Sequence, residues 1–253
     1  MVSYTRHIMV VALLAVLPGN AARKELSIAA AANLIEVFRP IGALFETATG
    51  IHPVFSFGST AQLTQQIEHA APYDVIAAAD KEHVDELDRK GLLSSGSRAV
   101  YAIGILALWI PPRSKAQISR IEDLNSPDVR IIAAAKPELA PYGRAAVQTL
   151  RHLGIWDGTQ SKMTYASNIS IARQYGVSGN ADAVFTAASL VRSQAGRVIP
   201  VDENLHQPIE QSLGIIASST RQTEARMFVE FLLAGKGRDV LAKSGYRVPA
   251  SGR

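Results

Sequence analysis

The sequence predicts an α/β fold built on parallel sheets. Two observations carry this reading. Short apolar runs with strand character alternate with apolar stripes at helical spacing, and the same unit of strand, small polar turn and helix start recurs along the chain. In such folds ligands gather at the carboxyl ends of the strands, so the recurring turns are also the candidate site.

The clearest unit lies near the start. His52 to Phe57 reads as a short buried strand, followed by Gly58-Ser59-Thr60 and a helix whose face carries Leu63 and Ile67. The first N–H groups of a helix have no intrahelical partner, and the macrodipole makes that end positive, so this turn suits an anion. A single Ser or Thr before a helix is ordinarily only an N-cap. Recurrence raises the turn above that reading.

Upstream, Leu26 to Ala31 is a buried strand, and Asn33 caps a helix carrying Leu34, Val37, Phe38, Ile41, Leu44 and Phe45 as far as Gly50. Pro40 is expected to bend that helix or end its first part. Tyr73 to Ala79 is a third strand. Asp80 then reads as a cap rather than a catalytic acid, and Lys81 to Lys90 as an exposed helix stopped by Gly91. Ala99 to Pro111 is an apolar strand long enough to cross between domains.

The strand Val129 to Ala134 leads to Pro141-Tyr142-Gly143 and a helix with Ala145, Val147, Leu150 and Leu153; Lys136 and Arg144 stand nearby as second-choice counter-charges. Lys162 to Ala166 leads to Ser167-Asn168-Ile169-Ser170, a fourth turn of this kind. Ala181 to Thr186 is a strand that ends before Ala187, Leu213 to Ala217 is another, and Arg221 to Ala234 is an amphipathic helix.

The chain has 253 residues, a formal net charge of +4 and no cysteine. Disulfides, thiolate nucleophiles and cysteine metal sites are excluded. The basic residues are scattered rather than interleaved with aromatics, which argues against nucleic acid as a partner. Residues 1–22 read as a signal peptide: Arg6 and His7, the apolar run Ile8 to Leu17, then Pro18 to Ala22 with small residues. That run is too short to span a membrane.

In this order and spacing the motifs resemble the periplasmic molybdate-binding receptors of ABC transporters. The marks are Ala30-Ala31-Ala32-Asn33-Leu34, Gly58-Ser59-Thr60-Ala61-Gln62-Leu63 with Gln66-Ile67, and Ala71-Pro72-Tyr73-Asp74-Val75 with Ala79-Asp80. Further marks are Ala140-Pro141-Tyr142-Gly143-Arg144-Ala145, Leu153-Gly154-Ile155-Trp156-Asp157, and Phe228 to Leu232 with Gly245-Tyr246. The resemblance covers Ile28 to Tyr246 and implies a two-lobed type II periplasmic binding protein fold. Two parallel-type sheets flanked by helices would close on a hinge over a ligand cleft. Lobe one would be Glu25 to Ala102 plus Leu213 to Arg253, lobe two Ile103 to Ser212, with hinge strands near Tyr101–Gly104 and Gln211–Ile215.

The resemblance further implies a periplasmic receptor that holds molybdate or tungstate with neutral hydroxyls and backbone amides. It would use no cofactor, act as a monomer and deliver its ion to an ABC permease. Carried over position by position, the oxyanion contacts fall on Asn33, Ser59, Thr60, Tyr142 and Ile169, as contacts to the oxyanion and not as direct metal ligands. Many members place a Tyr hydroxyl where this chain has Ala187, so that donor is absent here. Neutral donors favour a fully deprotonated ion over a protonated one such as hydrogen phosphate. The rival readings are a receptor for sulfate or thiosulfate, a ligand-sensing domain, and an enzyme using Ser59 or Ser189. The signal peptide opposes the second; the third lacks a Gly-x-Ser-x-Gly elbow or His spacing for a metal.

Overall fold

The computed structural model describes residues 24–249, and the export segment read at 1–22 lies outside them. β1 (Lys24–Ala31) passes through a 3-10 turn, Ala32–Leu34, into α1 (Ile35–Thr49); β2 (Ile51–Gly58) feeds α2 (Thr60–Glu68). β3 (Val75–Ala77), α3 (Glu82–Arg89), β4 (Ala99–Gly104) and β5 (Leu106–Ile110) follow. Next come β6 (Ile132–Ala135), α4 (Pro141–His152), α5 (Trp156–Thr159), β7 (Met163–Ala166), α6 (Ile169–Val177), β8 (Ala183–Ala187), α7 (Ala188–Val191) and β9 (Arg197–Pro200). β10 (Ile209–Ile215), α8 (Gln222–Leu233) and α9 (Lys236–Lys243) complete the chain.

The strands form two five-stranded sheets, ordered β2-β1-β3-β10-β4 and β7-β6-β8-β5-β9. β1 pairs in parallel with β2 and β3, and β6 with β7 and β8. β10 runs antiparallel to both its neighbours, and so does β5. The sheets are therefore mixed, and in each the reversed strand is the one that enters from the other sheet.

The first crossing lies at Ile105, between β4 and β5, beside the expected Tyr101–Gly104. The second differs from the expected Gln211–Ile215. β10 pairs inside the first sheet from Ile209 onward, so Ile209 to Ser212 group with the first sheet rather than the second. Glu210, Gln211 and Ser212 interrupt the apolar pattern, which is why only the later half of this strand reads clearly from sequence.

One local expectation is also corrected. Asn33 does not cap α1: it sits inside the 3-10 turn, and its side chain makes no capping bond. The helix runs through Pro40 to Thr49, with the exposed Pro40 ring facing solvent and forfeiting one backbone bond. Gly50 ends it in the left-handed conformation, its N–H donating to Glu46 O.

Alternate residues of each strand serve opposite faces. Ile28, Ala30, Val75 and Ala77 pack with α1 and α8 residues such as Phe38, Phe45 and Phe228. Ala29, Ile76 and Ala78 pack with Leu63 and Ile67 of α2 and Val84 and Leu87 of α3. Phe228 meets Phe38 and Phe45 edge-on, with centroids 6.0 and 5.2 Å apart. Phe228→Ala should therefore lower the unfolding free energy by about 3–5 kcal/mol in urea titration. A loss below about 0.5 kcal/mol, as at an exposed site, would contradict this packing.

Candidate functional site

The turns singled out in the sequence meet between the two sheets. A small cavity is lined from the first sheet by Ala31, Ala32 and Asn33 after β1, Gly58, Ser59 and Thr60 after β2, and Ala79 after β3. From the second sheet it is lined by Ala140, Pro141 and Tyr142 after β6, and by Asn168 and Ile169 after β7. Asn33, Ser59, Thr60, Tyr142 and Ile169 are thus brought together. Ala187 is not: it ends β8, paired with Leu106 and buried away from the lining.

Each helix start leaves a backbone donor at the cavity. Ser59 caps α2 by accepting from Gln62 N, while its own hydroxyl donates to Gln62 Oε1 at 2.7 Å; the Thr60 amide, first in the helix, keeps no intrahelical partner. Asn168 caps α6 by accepting from Ser170 N and Ile171 N, both at 3.0 Å, which leaves the Ile169 amide ahead of the cap's reach. In α4 the first residue is Pro141, so Tyr142 supplies the first N–H. Gly143 is needed for this approach, because a Cβ there would strike the Ala135 carbonyl.

The Thr60 hydroxyl oxygen accepts from Ala79 N at 3.0 Å. With that side engaged, its proton is free to point at a ligand. The described lining contains no charged side chain. Lys136 is exposed, and the Arg144 guanidinium is committed elsewhere, so neither counter-charge reaches the cavity.

Behind the lining lies a buried polar layer that sequence reasoning missed. Asn33 Nδ2 donates to Gln211 Oε1 and to Tyr246 Oη, both at 3.0 Å. Tyr101 Oη donates to Gln211 Oε1 at 2.9 Å, and Gln211 Nε2 donates to Tyr142 Oη at 3.0 Å. Tyr246 Oη donates to Asn33 O at 2.9 Å and accepts from Ser189 Oγ at 3.0 Å. Burial pushes all three phenols up, Tyr246 to about 12, so they remain hydrogen-bond donors at neutral pH. Gly104, at the first crossing, makes room for this layer: a Cβ there would strike the Tyr142 hydroxyl.

Two sheets with crossing strands, and helix starts converging between them, describe a clamshell around a small polar ligand. The chain matches the family model for bacterial extracellular solute-binding proteins over residues 26–247. It belongs to that family. This solute-binding protein is 34% identical over 253 residues to the molybdate-binding protein ModA of Azotobacter vinelandii, across 96% of this chain and 98% of that one. It is 31% identical over 230 residues to ModA of Rhodobacter capsulatus, across 89% of each. The solved periplasmic molybdate-binding protein of Azotobacter vinelandii superposes with a TM-score of 0.84 at 30% identity, covering 89% of this chain and all of that one.

The solute-binding protein also carries bonds from one side of its cavity to the other. Arg144 of α4 donates through Nη2 to Asp80, after β3, at 2.8 Å, and Arg173 of α6 donates to Glu36 of α1 at 3.0 Å. Asp80 is not the N-cap of α3, which is Lys81, but from one residue earlier it accepts from the first-turn His83 N at 3.2 Å and holds His83 Nδ1 at 2.8 Å. Burial pushes the Asp80 carboxyl up, but His83 and Arg144 outweigh it and hold the group below its ordinary 3.8. The bond to Asp80 raises the His83 imidazole above its ordinary 6.5, against burial.

The signs follow from these directions. The contribution of His83 is complete below pH 6.5 and is lost as pH rises through its raised value. That of Asp80 is complete above pH 3.8 and is lost as pH falls through its lowered value. Native protein should therefore exceed His83→Gln in unfolding free energy most clearly between pH 3.8 and 6.5, with the gap narrowing above. A gap that widens as pH rises above 6.5 in denaturant titrations would refute the pairing.

Proposed function

We propose that this protein is an extracytoplasmic receptor that captures molybdate, and tungstate with it, and presents the ion to the permease of an ABC transporter. The observation that carries the reading is the convergence of partnerless helix-start amides and the Thr60 hydroxyl on a cavity whose described lining holds no charge. The molybdate-binding names of the relatives at 31% and 34% identity support the cargo. Asn33, Ser59, Thr60, Tyr142 and Ile169 form the contact set, Ser59 by turning its hydroxyl proton from Gln62 Oε1 to the ion.

A dianion stripped of water is costly to bury unless several donors meet it. Donors to a charged acceptor make shorter, stronger bonds than neutral pairs, and helix dipoles add to them. The O–H of a protonated oxyanion needs a hydrogen-bond acceptor, which amide N–H groups do not offer, so the set prefers an ion that is fully deprotonated at neutral pH.

Sheet membership supports a lobe division of 24–104 with 209–249 against 105–208, with a hinge at Ile105 and in the connection before Ile209. The protein works as a periplasmic monomer, and ligand stabilises the closed state by its differential affinity.

Calorimetric titration of the ligand-stripped protein with molybdate, tungstate, sulfate and phosphate tests the reading. One-to-one binding of the first two alone is expected. Binding of sulfate instead would rename the cargo, and silence toward all four would remove the oxyanion reading. Thr60→Ala removes one hydrogen bond to a charged ligand, on the order of 1.5–3 kcal/mol, and should weaken molybdate at least about tenfold; it also orphans the buried Ala79 amide, so the unfolding midpoint should fall while the chain still folds. Unchanged affinity would take Thr60 out of the contact set.

A further inference from the structure

We propose that Gln211 is a positioning residue that turns Asn33 into a donor for the bound oxyanion, through a coupled half-turn of the two side-chain amides. The inference rests on the oxyanion reading above. Asn33 lines the cavity, yet its amide nitrogen donates to Gln211 and Tyr246, neither of which does. The oxygen is therefore turned the other way, and Asn33 Oδ1 is buried without a partner. A buried acceptor without a donor is unfavourable, and beside an anion it would also repel.

Gln211 can reverse this. It is fully buried, and in the observed arrangement its Oε1 accepts from Asn33 Nδ2 and Tyr101 Oη while its Nε2 donates to Tyr142 Oη. A phenol can donate or accept, so the Gln211 amide can be satisfied either way round. After a half-turn, Nε2 donates to Asn33 Oδ1 and to Tyr101 Oη, which sends its own proton to Ala78 O, 2.9 Å away. Tyr142 Oη then donates to Gln211 Oε1. Asn33 Oδ1 faces Gln211 and Tyr246, and the Asn33 NH2 group faces the cavity.

The observed arrangement leaves one buried acceptor orphaned. The turned arrangement pairs it but needs an acceptor in the cavity, which a tetrahedral oxyanion supplies. The ion selects the turned state by its differential affinity. Neither amide can turn alone: a turned Asn33 would set its Oδ1 against Gln211 Oε1, and a turned Gln211 would set its Nε2 against Asn33 Nδ2. Gln211 thereby sets the polarity of a contact it does not itself make.

The test is a double-mutant cycle titrated with sodium molybdate. Gln211→Met keeps the bulk and removes the amide; Asn33→Ser keeps a hydroxyl at the cavity and removes the group that Gln211 orients. Gln211→Met should weaken molybdate about tenfold in the native chain and less than about twofold in the Asn33→Ser chain. Equal losses in both chains would overturn the proposal. Failure of the native chain to bind molybdate would instead overturn the reading on which it rests.

Proton NMR of the native protein gives a second readout that needs no variant. The Gln211 side-chain amide protons should show cross-relaxation to the Tyr142 ring without molybdate and to the Tyr101 ring with it. An unchanged pattern in protein saturated with molybdate would overturn the coupled turn.

Discussion

The structure depends on one constraint: backbone N–H groups at helix starts must find acceptors, and here several are left to find one together. α2, α4 and α6 each begin at the cavity, and each leaves a first-turn amide outside the reach of its cap. Ser59 and Asn168 satisfy the second or third amide of their helices and leave the first. Pro141 removes a donor that would otherwise compete and passes the role to Tyr142. Caps and anion contacts are thus complementary uses of the same four N–H groups.

This constraint ties the site to the topology. Helix starts from two sheets can face one another only if the carboxyl ends of both sets of parallel strands point to the same gap. The reversed strands β5 and β10 make this possible, since each carries the chain across and enters its new sheet from the cavity side. Gly104 and Gln211 sit beside the crossing, where a buried polar layer spans from Tyr101 and Asn33 to Tyr142 and Ser189. The two sheets are therefore joined across the cavity by this layer and by the two ion pairs from Arg144 and Arg173. The exposed partners of those pairs keep their individual contributions small.

Much of the fold, and the turns that line the cavity, were legible because both are written locally. Gly58-Ser59-Thr60, Pro141-Tyr142-Gly143 and Ser167-Asn168-Ile169 carry strand, turn and helix start within a few residues. What escaped was non-local. Gln211 meets Asn33 across 178 positions, and Arg144 meets Asp80 across 64, so no spacing could pair them. The polar break at Gln211-Ser212 inside an apolar strand was the one available signal, since a buried Gln has to be bonded. Asn33 was misread as a cap for the same reason: its partners Gln211 and Tyr246 lie far along the chain.

The central claim is that neutral donors at helix starts, and no cation, hold the ligand. A crystal structure of the molybdate-loaded protein, with anomalous scattering locating the molybdenum, tests it most directly. The account predicts a single peak in the cavity, with oxyanion oxygens about 2.7–3.2 Å from the amide nitrogens of Thr60, Tyr142 and Ile169. A peak held instead against the Arg144 guanidinium or the Lys136 ammonium would contradict it.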